Sequence, residues 1–160
     1  MGVGELAGDF REFLKLLNVH HAEYLLIGGH AVAYHGFPRA TGDMDIWIAM
    51  TPENGARIVK VLADFGFGKT GATPQMFQEE DRIIRMGRAP LRIEILTTIS
   101  GVSFAECYER RQTVQVSGIA VPIIGLEDLV KNKAASVRPK DRIDCDELRK
   151  RLKPGRSRPK

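Results

Sequence analysis

The chain has 160 residues, 43% of them hydrophobic and 28% charged, proportions that exclude a disordered or fibrous chain. No apolar stretch approaches the roughly 18 residues needed to span a membrane, and the opening MGVGELAGDF carries acids and no apolar segment, unlike a secretory signal. The net charge of +4 is uneven: residues 149–160 hold seven Lys or Arg and no acid, while the preceding 148 residues hold 17 bases and 20 acids. The expectation is one domain over 1–148, cytoplasmic, with reduced Cys107 and Cys145. A basic, flexible tail over 149–160 is expected to follow it. That tail reads either as a solvated terminus or as an arm attracted to phosphates.

Leu6, Phe10, Phe13 and Leu17 recur at helical spacing and predict a helix over 5–18. A short apolar strand over 23–27 runs into Gly28-Gly29 and a brief helix. Residues 43–48 alternate, with Asp43, Asp45 and Trp47 on one face and Met44, Ile46 and Ile48 on the other. Thr51-Pro52-Glu53 has the residues of a helix start, and Gly66 ends that helix after Phe65. Strands are expected over 82–86 and 91–96. A hairpin around Ser117-Gly118 should join 113–116 to 120–124, and closing helices fall over 126–137 and 141–152, parted near Pro139. The order predicts an α/β (α+β) domain with a mixed sheet flanked by helices.

Two carboxylates two residues apart on a strand project from one face, roughly 6.5–7 Å apart at the backbone. Like charges so placed repel unless a cation sits between them, and a divalent cation with oxygen ligands meets that demand. Glu94, alone among Ile93 and Ile95 on its strand, supplies a third carboxylate if the strands are neighbours. Two Mg²⁺ ions about 3.5–4 Å apart would then serve in-line phosphoryl transfer. Gly28 and Gly29, where a strand feeds a helix, let backbone N–H groups approach a phosphate. Taken singly, each piece also has a plain structural reading. The glycines can be a turn, Asp43 and Asp45 a solvated pair, and Glu94 a partner of Arg92 or another base. Trp47 either stacks on a base or fills space beside the sheet. Lys133 shares a helical face with Leu126, Leu129 and Val130, so it either reaches a cleft or pairs internally with Asp144.

The segment YLLIGGHAVAYHGFPRATGDMDIWI, residues 24–48, resembles the core motif of the DNA polymerase beta nucleotidyltransferase superfamily. With Arg39 and Thr41 just before Asp43 it is most similar to small prokaryotic members, the AbiEii-type toxin enzymes and the lincosamide and aminoglycoside nucleotidyltransferases. Residues 91–96 and 126–148 resemble these proteins more weakly. The resemblance implies a nucleotidyltransferase fold with Asp43, Asp45 and Glu94 as catalytic ligands of two Mg²⁺ ions. It implies Gly28, Gly29, Arg39, Thr41 and Lys133 as contacts to an NTP. Two departures stand out: His30 follows the glycine pair without a serine hydroxyl, and Glu94 stands where Asp is more usual, its longer arm suiting proton acceptance.

The implied activity moves a nucleoside monophosphate from NTP to an acceptor hydroxyl. The tail favours an RNA acceptor, the acidic body argues against it, and a small antibiotic-like molecule competes. The alternative is a non-catalytic nucleotidyltransferase-fold module, such as one half of a toxin–antitoxin pair. A homodimer or a partner protein is expected to complete so small a cleft.

Overall fold

A computed structural model describes residues 7–38, 42–68, 71–88 and 91–152. Leu6, Arg39, Thr41 and residues 153–160 of the expected tail lie outside the described residues.

Helix α1 (Gly8–Val19) buries Phe10, Phe13 and Leu17 of the predicted stripe, and Leu14 as well. Strand β1 (Tyr24–Ile27) is buried at every residue and leads directly into α2 (Gly28–Tyr34). Strand β2 (Asp43–Ile48) follows, then α3 (Pro52–Leu62), whose first turn is capped as expected. The Thr51 hydroxyl accepts from the Asn54 backbone N–H at 3.1 Å. Buried Asn54 also ties three elements together, donating to the carbonyls of Glu23 and Ala49 and accepting from the Glu23 N–H. After α3 a wide helical turn over 63–67 breaks at Gly66, whose φ of 101° suits glycine.

Strands β3 (Ile83–Arg88) and β4 (Leu91–Leu96) pair antiparallel. A short helix, α4 (Phe104–Glu109), precedes the hairpin of β5 (Gln112–Val116) and β6 (Ile119–Ile123). Ser117 and Gly118 both take positive φ there, as a two-residue hairpin turn requires. Helices α5 (Leu126–Ala134) and α6 (Pro139–Arg149) close the fold. The sequence pattern carried α5 to 137, but it stops at Ala134. The residues beyond are held otherwise: the Ser136 hydroxyl donates to Asp141 at 2.6 Å and accepts from the Arg138 N–H at 3.1 Å.

The six strands form one mixed sheet in the order β3-β4-β2-β1-β6-β5. β2 lies antiparallel to β1 and parallel to β4, and β1 is parallel to β6. Partnered residues share a face. One face carries Met44, Ile46, Ile48, Ile93 and Ile95, all buried in the main core, and burying each such side chain contributes about 1.5–3 kcal/mol. The other face carries Leu25 and Trp47 toward one end and the carboxylates toward the other. Trp47 is fully buried, edge-on to Phe104 at 5.2 Å, and donates its Nε1–H to the Thr97 carbonyl at 3.2 Å. It is a pillar of the core and has no free face for a base.

The folded body runs past the expected boundary at 148. Arg149 ends α6, a helical turn covers Lys150–Leu152, Leu152 packs on the core, and Arg151 donates to the Gly36 carbonyl. No helix among the described residues is long and apolar enough to cross a membrane.

Candidate active site

The register places Ile27, Asp45, Glu94 and Arg85 in one row across β1, β2, β4 and β3. Asp43 pairs with Arg92 in the next row. Neighbouring strands are about 4.8 Å apart, so the adjacency of Asp45 and Glu94, which the sequence left conditional, is met. At the end of the row Gly28 has a φ of 71°. A Cβ there would stand 2.1 Å from Asp45 Oδ2, so glycine is required both for backbone shape and to admit the carboxylate. Gly29 follows in the first turn of α2.

Asp45 is the electrostatic centre. Its Oδ1 is buried and has no hydrogen-bond partner among the described residues. Burial, then the charges of Glu94 and Asp43 and a hydrogen bond shared with Glu94, push its carboxyl up to about 7, with Lys133 pulling the other way. The other two carboxylates hold guanidinium groups. Arg92 donates to both oxygens of Asp43 at 3.2 and 3.1 Å, and Arg85 Nε donates to Glu94 at 2.8 Å. The sequence had offered Arg92 to Glu94; in parallel register it falls beside Asp43.

A cleft of about 440 Å³ opens beside Asp45, lined by Gly28, Asn132, Lys133, Ser136 and Arg138, with residues 98–100 along its edge. Lys133 does what both of its sequence readings required, lining the cleft and pairing internally. Its Nζ donates to Asp141 at 2.8 Å and lies 3.4 Å from Asp144. Arg138 reaches Asp141 with two nitrogens at 3.0 and 3.2 Å. Burial alone would raise the Asp141 carboxyl, but hydrogen bonds from Arg138, Lys133 and Ser136 outweigh it and hold the group well below the usual range. A second cleft of about 430 Å³, between Trp47, Met50 and Phe104, shares residues 98–100 with the first.

Arg85 escaped the sequence reading, whereas Arg138 and Asp141 fall in the segment KNKAASVRPKDRID, whose basic residues the resemblance places at the cleft without naming either. Arg138 also had a local signal, since it precedes Pro139 at a helix start and stands three residues before an acid. Arg85 had none, because its value depends on β3 lying beside β4.

The donor set suits an oxygen-ligated divalent cation. It offers three carboxylates on adjacent strands, with one buried oxygen orphaned and one carboxyl forced toward its neutral form. The expected convergence is incomplete, however. Among the described residues no group of three or more His, Cys, Asp or Glu is gathered to hold a metal ion, Asp43 and Glu94 being engaged by Arg92 and Arg85.

A mixed six-stranded sheet flanked by helices, with an Asp-x-Asp strand facing a glycine turn, defines the nucleotidyltransferase fold. Within it the chain belongs to the family described as "Nucleotidyltransferase of unknown function (DUF6036)", which it matches over residues 8–152. Among curated proteins none matches significantly. Solved structures share the fold. TM1012 from Thermotoga maritima, assigned to the nucleotidyltransferases, is 16% identical, with 89% of each chain covered and a TM-score of 0.54. An antigenic nucleotidyltransferase-like protein from Paracoccidioides brasiliensis is 14% identical, covering 90% of this chain and 74% of that one, with a TM-score of 0.53. The lincosamide antibiotic adenylyltransferase LnuA, solved with lincomycin bound, is 12% identical over 91% of this chain and 98% of its own, with a TM-score of 0.52.

Proposed function

We propose that this chain is a Mg²⁺-dependent transferase that moves a nucleoside monophosphate from an NTP to an acceptor hydroxyl and releases pyrophosphate. The observation that carries the reading is the arrangement itself: Asp45 and Glu94 are paired on adjacent strands, Gly28 packs against Asp45, and Gly28 and Asp45 line one cleft with Lys133 and Arg138. Two Mg²⁺ ions held by Asp43, Asp45 and Glu94 would lower the acceptor hydroxyl's pKa and neutralise phosphoryl charge.

The chain's own residues supply the rest. Lys133 and Arg138, although paired with Asp141, present N–H donors along the cleft, where a triphosphate would lie. Gly28, lacking a Cβ, leaves the phosphates free to approach the backbone, and Gly29, Arg39 and Thr41 belong to the same expected contact set. Glu94 accepts the proton of the attacking hydroxyl as its oxygen bonds to the α-phosphorus. The bond from that phosphorus to the bridging oxygen breaks, and pyrophosphate leaves on the opposite side. No covalent enzyme intermediate is needed.

We take an RNA end as the first acceptor to try, on the strength of the seven bases over 149–160, three of which lie on the folded end of the chain's last helices. An antibiotic-like small molecule is the competitor, for which the second cleft offers room. A non-catalytic module is a second reading with an observation of its own, since Arg92 and Arg85 occupy two of the three carboxylates. The deciding assay is pyrophosphate release with each NTP, Mg²⁺, RNA and a panel of small hydroxyl acceptors. Release that disappears in Asp45→Asn supports the transferase. Nucleotide binding without release across the panel supports the module. Light scattering of the active preparation reads whether a homodimer completes the cleft.

A further inference from the structure

The cations around the carboxylates fall into two groups on opposite sides. Lys133 and Arg138 line the cleft beside Gly28 and Asp45. Arg85 and Arg92 sit beyond the carboxylates, on β3 and β4, and neither lines that cleft. Both arms are open to water, with side-chain exposures of 57% and 37%. In a transferase of the proposed kind, in-line displacement puts the attacking hydroxyl opposite the departing pyrophosphate. With the triphosphate on the cleft side, the acceptor comes from the side of Arg85 and Arg92.

We infer that Arg85 and Arg92 recognise a phosphate on the acceptor, next to its attacking hydroxyl. This rests on the transferase reading above. In the chain alone the two guanidinium groups neutralise Glu94 and Asp43 at 2.8 and about 3.1 Å. A divalent cation held by Asp43 and Glu94 would compete with the guanidinium groups for the same carboxylate oxygens and so would free N–H donors of Arg85 and Arg92 beside the carboxylates. A planar, bidentate donor in that position matches a phosphate oxygen pair better than it matches any neutral acceptor. Arg85 lies two strand steps from Asp45, about 10 Å along the row. A nucleotide whose hydroxyl is at Glu94 and whose own phosphate meets Arg85 need span only the one strand step between them, about 5 Å. The shared chemistry is a phosphate and a hydroxyl on one sugar, as in an RNA 3′ end or a free nucleoside monophosphate.

The test has a kinetic arm and a binding arm. In the first, pyrophosphate release is measured with a short oligoribonucleotide, a nucleoside monophosphate and the unphosphorylated nucleoside. Arg85→Gln and Arg92→Gln should each raise KM for the two phosphorylated acceptors about tenfold. Because both arms also touch Glu94 and Asp43, the readout is the ratio: kcat/KM for the phosphorylated acceptors over the nucleoside should fall by about that factor, with the KM for NTP rising less. Preference for the oligoribonucleotide over the monophosphate assigns the phosphate to a nucleic acid chain, and equal use assigns it to a free nucleotide. Equal losses on all three acceptors, or a matching rise in the NTP KM, would overturn the inference while leaving the transferase intact.

The second arm needs no turnover. Fluorescence anisotropy of a labelled oligouridylate should show tighter binding in Mg²⁺ than in EDTA for the wild type. Arg85→Gln/Arg92→Gln should bind weakly in both, with a shallower dependence on salt. Asp43→Asn, which loosens Arg92 without a metal, should tighten binding in EDTA and keeps the test open if the arginine variants fold poorly. Wild-type affinity unchanged by Mg²⁺ and by the arginine substitutions would sink the inference. Absence of pyrophosphate release from every acceptor would sink the transferase reading, and the binding arm then decides this one alone.

Discussion

On one wall of the cleft Asp141 is buried against Lys133, Arg138 and Ser136, while on its floor Asp45 lies half-buried beside Glu94 and Asp43, with one oxygen fully enclosed. The residue type is the same and the carboxyls move in opposite directions, Asp141 well below the usual range and Asp45 up to about 7. Burial acts alike on both, raising the carboxyl. The difference is in the partners, cations and a hydroxyl for one and further carboxylates for the other. A fold that neutralises one buried acid with three donors and leaves another under-neutralised separates what holds the cleft together from what acts in it.

The largest effect should come from breaking the neutralised side. Lys133→Met leaves Asp141 and Asp144 buried without their ammonium, which should cost about 3–5 kcal/mol and lower Tm by roughly 10 °C. The loss should shrink in acid. The depressed Asp141 carboxyl contributes stability that is complete above about pH 4 and fades as pH falls toward its native value. Thermal melts at pH 7 and at about pH 2.5 measure both.

Gly28→Ala tests the floor from the other side. It forces a side chain into a left-handed conformation and onto Asp45 Oδ2. The backbone strain should cost about 1–3 kcal/mol, and pyrophosphate release should fall out of proportion to the stability lost. Denaturant titration beside the turnover assay separates the two.

Asp45→Asn should move stability upward. Because the native carboxyl titrates near 7 and the unfolded one near 3.8, the native state binds more protons between those values. Wild-type stability in EDTA therefore falls as pH rises from about 4 to 7 and then levels. The variant lacks that fall, so its Tm should match the wild type at pH 4 and exceed it at pH 8 by roughly 10 °C, with turnover abolished. Mg²⁺ should recover the wild type at pH 8 and leave the variant unchanged. A variant that melts many degrees lower at pH 8 would make Asp45 a structural partner.

The smallest effect belongs to Arg138→Gln. This exposed arm shares Asp141 with Lys133, and its loss should cost about 0–1 kcal/mol. A rise in the KM for NTP with Tm almost unmoved would place Arg138 in function rather than support.

Much of this was legible in the chain by itself, because the signals were local. Period-two alternation put Asp43, Asp45 and Trp47 on one strand face, and β2 has those bounds. The Thr51 cap, the Gly66 break and the Ser117-Gly118 turn each follow from the stereochemistry of one or two residues. The six-residue α4 and the short turn over Pro74–Gln78 were not read, being too brief for a helical period to show.

Only the tertiary structure decided what depends on distant strands. Asp45 and Glu94 are 49 residues apart, and a one-residue slip in β4 would turn Glu94 into the opposite, buried face. That register is fixed by Ile93 and Ile95 seeking the core on the far side, a collective demand of packing that no short segment expresses. It moved Arg92 from Glu94 to Asp43 and brought Arg85 to Glu94. Lys133 could be seen to need an acid, but its approach to Asp141 before Asp144 depends on how α6 docks on α5. Sequence determined which residues had chemistry to offer; packing determined which of them meet, because charges act over ångströms in space and not along the chain.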